Sequence, residues 1–394
     1  MTRARSVPSR LPRKPTLRER ARHATQGSKE TSAAALGLAV LILTSIGTVA
    51  VFSATAPLAL EQALPPHFLR HAAAVLLGGL VIVTAARIPL PAWHRLALPL
   101  WGASLLLLGA TLAVGLSGGG ATRWLFVPGL GFAFQPVEFA KLSTVLAVAA
   151  LLGRRDGRAV VVSRERLAVA LALGLLPAAI AILQPDLGNA VLLIGLTVLL
   201  LFVAGADLRP LLAIGALGAV FVAAYTAIRP YALRRVLGFL DPWSRSSAEG
   251  FQLVQSFVAF GRGGLHGVGV GDGRQKLFYL PEAHTDFILS VVAEETGLLG
   301  VLVVLGAFAA LLVAGLRIAL AAKQRFALLL AFGMTALLTV PALLNAAVVM
   351  GCIPTKGLTL PFLSYGRSSL LVSCLAVGIL FAVARAGRSQ RGAR

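Results

Sequence analysis

The run Ala33-Ala34-Ala35-Leu36-Gly37-Leu38-Ala39-Val40-Leu41-Ile42-Leu43-Thr44-Ser45-Ile46-Gly47-Thr48-Val49-Ala50-Val51-Phe52 decides the fold. It carries no charge, and as a helix it rises about 30 Å, the hydrocarbon thickness of a bilayer. A secretory signal core is shorter, about 7–15 residues. The run is therefore expected to remain as a first span, although Ala54-Thr55-Ala56 resembles a cleavage site. Comparable runs recur at 68–86, 96–116, 136–152, 167–183, 187–204, 210–228, 286–315, 327–347 and 367–384. The expectation is an all-α, polytopic integral membrane protein with about ten transmembrane helices. The chain is 57% hydrophobic and only 13% charged, against about 25% charged in soluble domains.

An even number of spans puts both termini on one side. Of the 36 Lys and Arg, 24 then fall on the terminal side and 12 on the other, seven of those in the single long loop 229–285. Lys and Arg collect in cytoplasmic segments, and long loops obey this bias poorly. Both termini are thus expected in the cytoplasm and loop 229–285 outside. The same bias accounts for the net charge of +21 without a nucleic-acid partner. Residues 1–32, with nine Lys/Arg and Pro8, Pro12 and Pro15, read as a disordered basic tail. The membrane domain is expected over 33–385 and a second tail over 386–394. Cys352 and Cys374 are expected to form neither a disulfide nor a metal site.

The polar residues of the outer side are few, and each one matters. The glycine-rich turn Ser117–Ala121 is expected to deliver Arg123 and Trp124 to the outer interface. Trp there reads as an anchor, whereas Arg123 runs against the charge bias and needs a partner or an anion. Gln135-Pro136-Val137-Glu138-Phe139-Ala140-Lys141 places Glu138 and Lys141 on one helix face. They read either as a satisfied ion pair or as a functional site, since ionisable groups in hydrocarbon are costly. In Gln184-Pro185-Asp186-Leu187-Gly188-Asn189, Asp186 suits a helix N-cap. The run Gly267–Gly273 lacks Gly-Lys-[Ser/Thr] and a preceding strand, so it reads as tight turns at the membrane surface and not as a phosphate loop. Phe251–Phe260 is amphipathic and suits the interface. Arg274 and Lys276 lead into Leu280-Pro281-Glu282-Ala283-His284-Thr285-Asp286-Phe287, a carboxylate beside an imidazole at the membrane edge. Glu294 and Glu295 follow about two turns deeper, as structural groups or as the lining of a polar groove. The segment 351–369 holds two prolines and three glycines. Irregular backbone at membrane depth must line a cavity, so Lys356, Ser364, Ser368 and Ser369 are expected to face a polar pocket.

Cations beside an apolar wall suit an amphiphile with a phosphorylated head, and one carboxylate could serve it as a general base. Zinc-ligand spacing and a Gly-x-Ser-x-Gly elbow are both absent. The residues alone leave enzyme and transporter open.

The motifs Arg123-Trp124, Gln135–Lys141, Gln184–Gly188, Leu280–Phe287 and Pro354–Ser369, in this order over nearly the whole chain, resemble the SEDS family (shape, elongation, division and sporulation) of peptidoglycan polymerases. The Pro354-Thr355-Lys356-Gly357 version is most similar to the division-type, FtsW, branch. The resemblance implies an inverting glycosyltransferase that polymerises lipid II into glycan strands at the outer face of the bacterial inner membrane, at the division septum. It implies Asp286 as the base on the acceptor GlcNAc 4-hydroxyl, and Arg123, Lys141 and Lys356 as groups for the undecaprenyl diphosphate. Glu138, Gln184, Asp186, Lys276, Glu282, His284, Ser364, Ser368 and Ser369 complete the expected substrate site. A divalent cation (Mg or Mn) is an expected assistant. The expected partners are a class B penicillin-binding protein, other divisome proteins and membrane lipids. An elongation-type, RodA-like polymerase, a lipid II flippase and a non-catalytic scaffold are the alternatives. Three residues depart from the family pattern: Val137 for a serine, Asn189 for a threonine and Arg367 for the second glycine of Ser-Tyr-Gly-Gly-Ser-Ser.

Overall fold

A computed structural model describes residues 17–58, 64–118, 121–127, 132–153 and 162–389. The ten expected spans all appear as helices: α1 (Leu17–Thr55), α2 (Pro66–Arg87), α3 (Leu90–Val114), α4 (Pro136–Leu152), α5 (Arg164–Leu183), α6 (Leu187–Val203), α7 (Leu208–Ile228), α10 (Ile288–Leu320), α11 (Arg325–Val349) and α12 (Arg367–Ser389). Two further helices, α8 (Pro230–Leu240) and α9 (Phe251–Gly263), lie in the long loop. Eight of the ten are long and apolar enough to cross a membrane. The other two, α4 and α6, have 17 residues each. The chain is a multi-pass membrane protein.

Helix α4 is the central post. Leu142, Leu146, Ala147, Val148 and Ala149 are fully buried, so it is enclosed on every side. It packs on α3, α5, α6, α11 and α12. Its alanines let the neighbouring backbones come close, as interfaces between membrane helices require. Around this post α1 lies on α10 and α2 on α12.

Four features differ from the sequence reading. Residues 116–134 are not a simple turn. They form a small antiparallel sheet of β1 (Leu116–Gly118), β2 (Ala121–Val127) and β3 (Phe132–Phe134), with Leu125 paired to Phe134. The β-branched and aromatic residues of Thr122-Arg123-Trp124-Leu125-Phe126-Val127 favour this state. Next, α1 begins at Leu17, inside the segment expected to be disordered. Leu, Arg, Glu and Ala in 17–22 are good helix formers. The rest of that expectation, 1–16, lies outside the described residues, as does the end of the C-terminal tail, 390–394.

The third difference is a break in α10. Gly297 takes φ +66°, ψ −165° inside the helix. The backbone groups freed there are paired by the glycine-rich loop. Leu298 N donates to Gly264 O at 2.9 Å, Val268 N to Glu294 O at 3.0 Å and Gly269 N to Glu295 O at 3.1 Å. Broken backbone at this depth needs such partners. The approach is so close that a Cβ on Gly267, which has φ +82°, would run into the Glu295 carbonyl. These glycines therefore dock the loop against α10, about 14 Å along the helix from Ile288. That corrects their reading as surface turns.

The fourth difference concerns α9. Its amphipathic face is turned to the protein: Leu253, Val254, Ser256 and Ala259 are buried and the helix packs on α10. Ser256 Oγ donates to Val349 O at 2.7 Å.

Candidate active site

Pro136 opens α4 at its first turn, where its missing N–H costs nothing. This sets Glu138 and Lys141 one turn apart, and Lys141 Nζ pairs with Glu138 Oε1 at 2.7 Å. Lys141 also donates to Asn189 Oδ1 at 2.9 Å. Asn189 passes the connection on through its Nδ2, 2.9 Å from Asp186 Oδ2. Asp186 caps α6 by accepting from Asn189 N at 3.3 Å. Its Oδ2 lies 3.9 Å from Arg123 Nε on β2. A continuous polar chain thus leads from the buried centre of α4 to Arg123, whose side chain is 28% exposed. A cavity of about 30 Å³ lies beside it, between Glu138, Lys141, Asn189, Gly357 and Ser369, with room for a water or two.

Asp286 sits on the other side of this cavity's rim, just ahead of α10. Its backbone carbonyl accepts from Asn345 Nδ2 of α11 at 2.8 Å, and the same amide holds Leu358 O at 2.6 Å. One side chain thereby fixes the loop that carries Asp286 to the irregular segment 350–366. Gly357 faces the Asp286 carboxylate, and a Cβ there would stand 3.2 Å from Oδ2. Among the described residues no hydrogen bond reaches that carboxylate. Burial, helped by the Glu282 charge, pushes the Asp286 carboxyl up to about 7, against the pull of Arg235 and Arg123.

Arg123 and Arg235 act on this acid, and Lys356 precedes the Gly357 that faces it. Arg123 is held by the carbonyls of Gln184 and Pro185. Arg235, on α8, donates to Thr355 O at 3.4 Å and stacks over Tyr231. Lys356 follows Thr355 directly. Its ammonium has no partner among the described residues, and burial lowers its pKa. An unpaired, partly desolvated ammonium is a ready site for an anion.

The expected pairing of Asp286 with His284 is not made. The His284 ring turns to His67, at 5.8 Å, and Tyr365, at 5.7 Å. Burial lowers its pKa, against the Glu282 charge. Glu282 is exposed, in the left-handed region at φ +56°, and accepts from Thr285 Oγ1 at 2.7 Å.

Four of the expected substrate groups are bonded to the protein's own frame. Gln184 is buried and its amide donates to Leu108 O at 2.9 Å. Ser364 donates to Thr285 O at 2.6 Å, and Ser368 accepts from Gln135 N at 3.0 Å. Lys276 Nζ contacts Glu295 Oε1 at 2.7 Å, Ser53 Oγ at 2.6 Å and Gly271 O at 2.6 Å, which uses all three of its protons. These residues build the frame of the site. Ser369 does line the cavity, where its Oγ accepts from Thr359 Oγ1 at 3.0 Å. Glu294 and Glu295 are also framework. Glu294 accepts from Arg274 N and Gln275 N at 3.0 Å and pairs with Arg262 at 3.3 Å.

Of the three departures, Val137 packs in an apolar cluster with Leu108 and Leu193, and Asn189 is the bridge already described. Arg367 opens α12 outside the cavity lining. Arg235 was not counted among the site residues, and Asn345 went unnoticed in the sequence. The signal for Arg235 was a basic pair, Arg234-Arg235, in an amphipathic stretch of the outer loop; for Asn345 it was a lone amide in an apolar helix.

A family model described as cell cycle protein FTSW_RODA_SPOVE matches residues 34–389. A protein of Trichlorobacter lovleyi named probable peptidoglycan glycosyltransferase FtsW is 42% identical over 347 residues, 87% of this chain and 90% of that one. A protein of the same name from Aliivibrio salmonicida is 43% identical over 86% of this chain and 85% of its own. Among solved structures, a chain of a peptidoglycan synthase complex, described as coordinating polymerization and crosslinking, superposes with TM-score 0.73. It is 32% identical over 90% of this chain and 97% of that one. The rod shape determining protein RodA of Thermus thermophilus gives TM-score 0.65 and 31% identity over 89% and 95%. With this match over most of its length, the chain belongs to the FtsW/RodA/SpoVE family of cell cycle proteins.

Proposed function

We propose that the chain is a division-type peptidoglycan glycosyltransferase and that Asp286 is its general base. The observation that carries this is an Asp286 carboxylate that accepts no hydrogen bond among the described residues, with its pKa at about 7, beside Arg123 and Arg235 and facing the Gly357 that follows Lys356. A base whose pKa lies near the working pH is the most effective, and contributes ~10²–10⁴-fold. The acceptor GlcNAc 4-hydroxyl of lipid II gives its proton to Asp286. Its oxygen bonds to C1 of the MurNAc at the lipid-linked end of the growing strand. The bond from C1 to the diphosphate oxygen breaks, undecaprenyl diphosphate leaves with the electron pair, and the anomer inverts. The three cations stabilise the charge that grows on the diphosphate.

Among the described residues no three His, Cys, Asp or Glu converge. A divalent cation of the Mg type is held by one or two carboxylates together with substrate phosphates, and here it would meet the diphosphate oxygens beside Asp286. No step is assigned to it. The relatives' names favour the division branch over the elongation branch. A flippase would need charged groups along a path through the membrane, and Glu294 and Glu295 are tied to the docked loop instead. A class B penicillin-binding protein partner fits the likeness to a complex that coordinates polymerization and crosslinking, and a wider divisome and a septal location go with the division-type reading.

The test is glycan synthesis from lipid II by the purified chain with its partner. Asp286→Asn should make no glycan while keeping the wild-type unfolding temperature. Retained synthesis would remove Asp286 from the mechanism.

A further inference from the structure

His284, Thr285 and Asp286 present three consecutive backbone carbonyls, and each accepts from a different donor. Tyr365 N donates to His284 O at 2.8 Å, Ser364 Oγ to Thr285 O at 2.6 Å and Asn345 Nδ2 to Asp286 O at 2.8 Å. Two of these donors belong to the turn Leu360-Pro361-Phe362-Leu363-Ser364-Tyr365. Ser364 also closes that turn. Its Oγ accepts from Leu360 N at 2.8 Å, and its own N donates to Leu360 O at 3.0 Å. A hydroxyl has one proton to give, and this one goes to Thr285. Phe362 lies within the turn at φ +67° and 1% exposure. The left-handed region is costly for a bulky side chain and persists only where the surroundings enforce it. The enforcing contact comes from α1. Gly47 stands so close to the Phe362 carbonyl and Leu363 Cα that a Cβ there would collide with both.

We propose that the turn 360–365 is a rigid platform that positions Asp286, with Ser364 as a positioning residue acting through Thr285 O and Gly47 as the α1 contact that seats the turn. The inference rests on the reading of Asp286 as the base. A base needs its carboxylate lone pairs free for the substrate proton, and among the described residues no hydrogen bond holds that carboxylate. Its placement must then come through the backbone. The Thr285 carbonyl belongs to the peptide unit that carries Asp286 N, so whatever holds Thr285 O also sets the Asp286 Cα. A donor on a mobile loop would hold it loosely. The strained and buried turn holds it firmly, because Leu360, Phe362 and Leu363 are all at 2% exposure or less and α1 blocks the relaxation of Phe362. The Tyr365 ring adds to the hold by packing on His284, with ring centres 5.7 Å apart.

The test measures kcat and KM for glycan synthesis from lipid II by the full chain with its partner. Ser364→Ala and Gly47→Ala should each lower kcat about 10- to 100-fold, the cost of roughly 1 Å of misplacement, with KM within about twofold of wild type. Ser364→Cys, whose thiol donates weakly, should fall between Ser364→Ala and wild type. Because Gly47 acts through the same turn, the double variant Gly47→Ala with Ser364→Ala should lose little more than the larger single loss, as expected of coupled positions. Gly79→Ala, at an exposed helical glycine with open space before its Cβ, should keep the wild-type rate. A wild-type kcat in Ser364→Ala, or in Ser364→Cys should the alanine variant not fold, would overturn the platform. So would a raised KM at constant kcat, which would make Ser364 a substrate group. Losses that multiply in the double variant would remove Gly47 from it. Asp286→Asn assayed alongside keeps the two readings apart. If it still makes glycan, the base assignment fails; if it is inactive while Ser364→Ala runs at the wild-type rate, the positioning alone fails.

Discussion

Asn345 donates its side-chain amide to the backbone carbonyl of Asp286 at 2.8 Å. The second proton of that amide goes to Leu358 O, so α11 sets the distance between the acid and the segment carrying Lys356 and Gly357. Removing the amide leaves two carbonyls without their donor, at a cost of about 1–3 kcal/mol for each one that stays buried. It also frees the acid to drift, and about 1 Å of drift costs on the order of 10²-fold in rate. Asn345→Ala should therefore lower kcat for glycan synthesis by 10- to 100-fold, with the pH midpoint unmoved because no charge is removed. A wild-type rate would show that the loop holds its place without α11.

Lys276 and Glu295 form a buried pair, both under 10% exposed, that ties the loop after α9 to α1 and α10. Breaking one side strands a charge, which typically costs about 3–5 kcal/mol. Lys276→Met should lower the unfolding temperature in detergent markedly, and adding Glu295→Gln should restore much of it. A Lys276 that served substrate instead would give a stable, inactive protein that the second substitution does not rescue.

Asn189 relays Lys141 to Asp186 through both ends of its amide. Asn189→Leu removes that relay and leaves Lys141 with Glu138 alone. The expected result is a rise in KM for lipid II of several-fold with little change in kcat, because the Arg123 end of the chain loses its fixed carboxylate. A fall in kcat at constant KM would place the relay in the chemical step.

What could be read from the chain alone was what depends on neighbours in sequence. The ten apolar runs needed only length and polarity. Glu138 and Lys141 pair because they are three residues apart on one helix. What escaped the reading depends on distant contacts. Gly297 in Thr296-Gly297-Leu298 looks like any helical glycine until Gly264 and Leu265 arrive to bond the residues after it. Asn345 lies 59 residues from Asp286, and nothing local distinguishes it from a polar residue filling a core. Lys276 and Lys356 were indistinguishable as loop lysines, yet one is triply bonded and the other is unpaired among the described residues. The strands were hidden because the glycines of 118–120 argue for a turn while Thr122–Val127 argues for extended chain.

The charges around Asp286 give the last prediction its sign. Its pKa is raised to about 7 by burial and then by Glu282, and is pulled down by Arg235 and Arg123. The base acts when deprotonated, so kcat/KM should rise with pH through about 7. Glu282→Gln removes a negative neighbour, which favours the carboxylate, and the midpoint should move to lower pH. Arg235→Gln removes a positive neighbour, which disfavours the carboxylate, and the midpoint should move to higher pH, with weaker diphosphate binding as well. The His284 ring faces His67 and Tyr365 and does not act on Asp286, so His284→Gln should leave the midpoint near its wild-type position. Measuring the three profiles side by side separates the groups. Shifts of the same sign for Glu282→Gln and Arg235→Gln would mean that the titrating group is not Asp286.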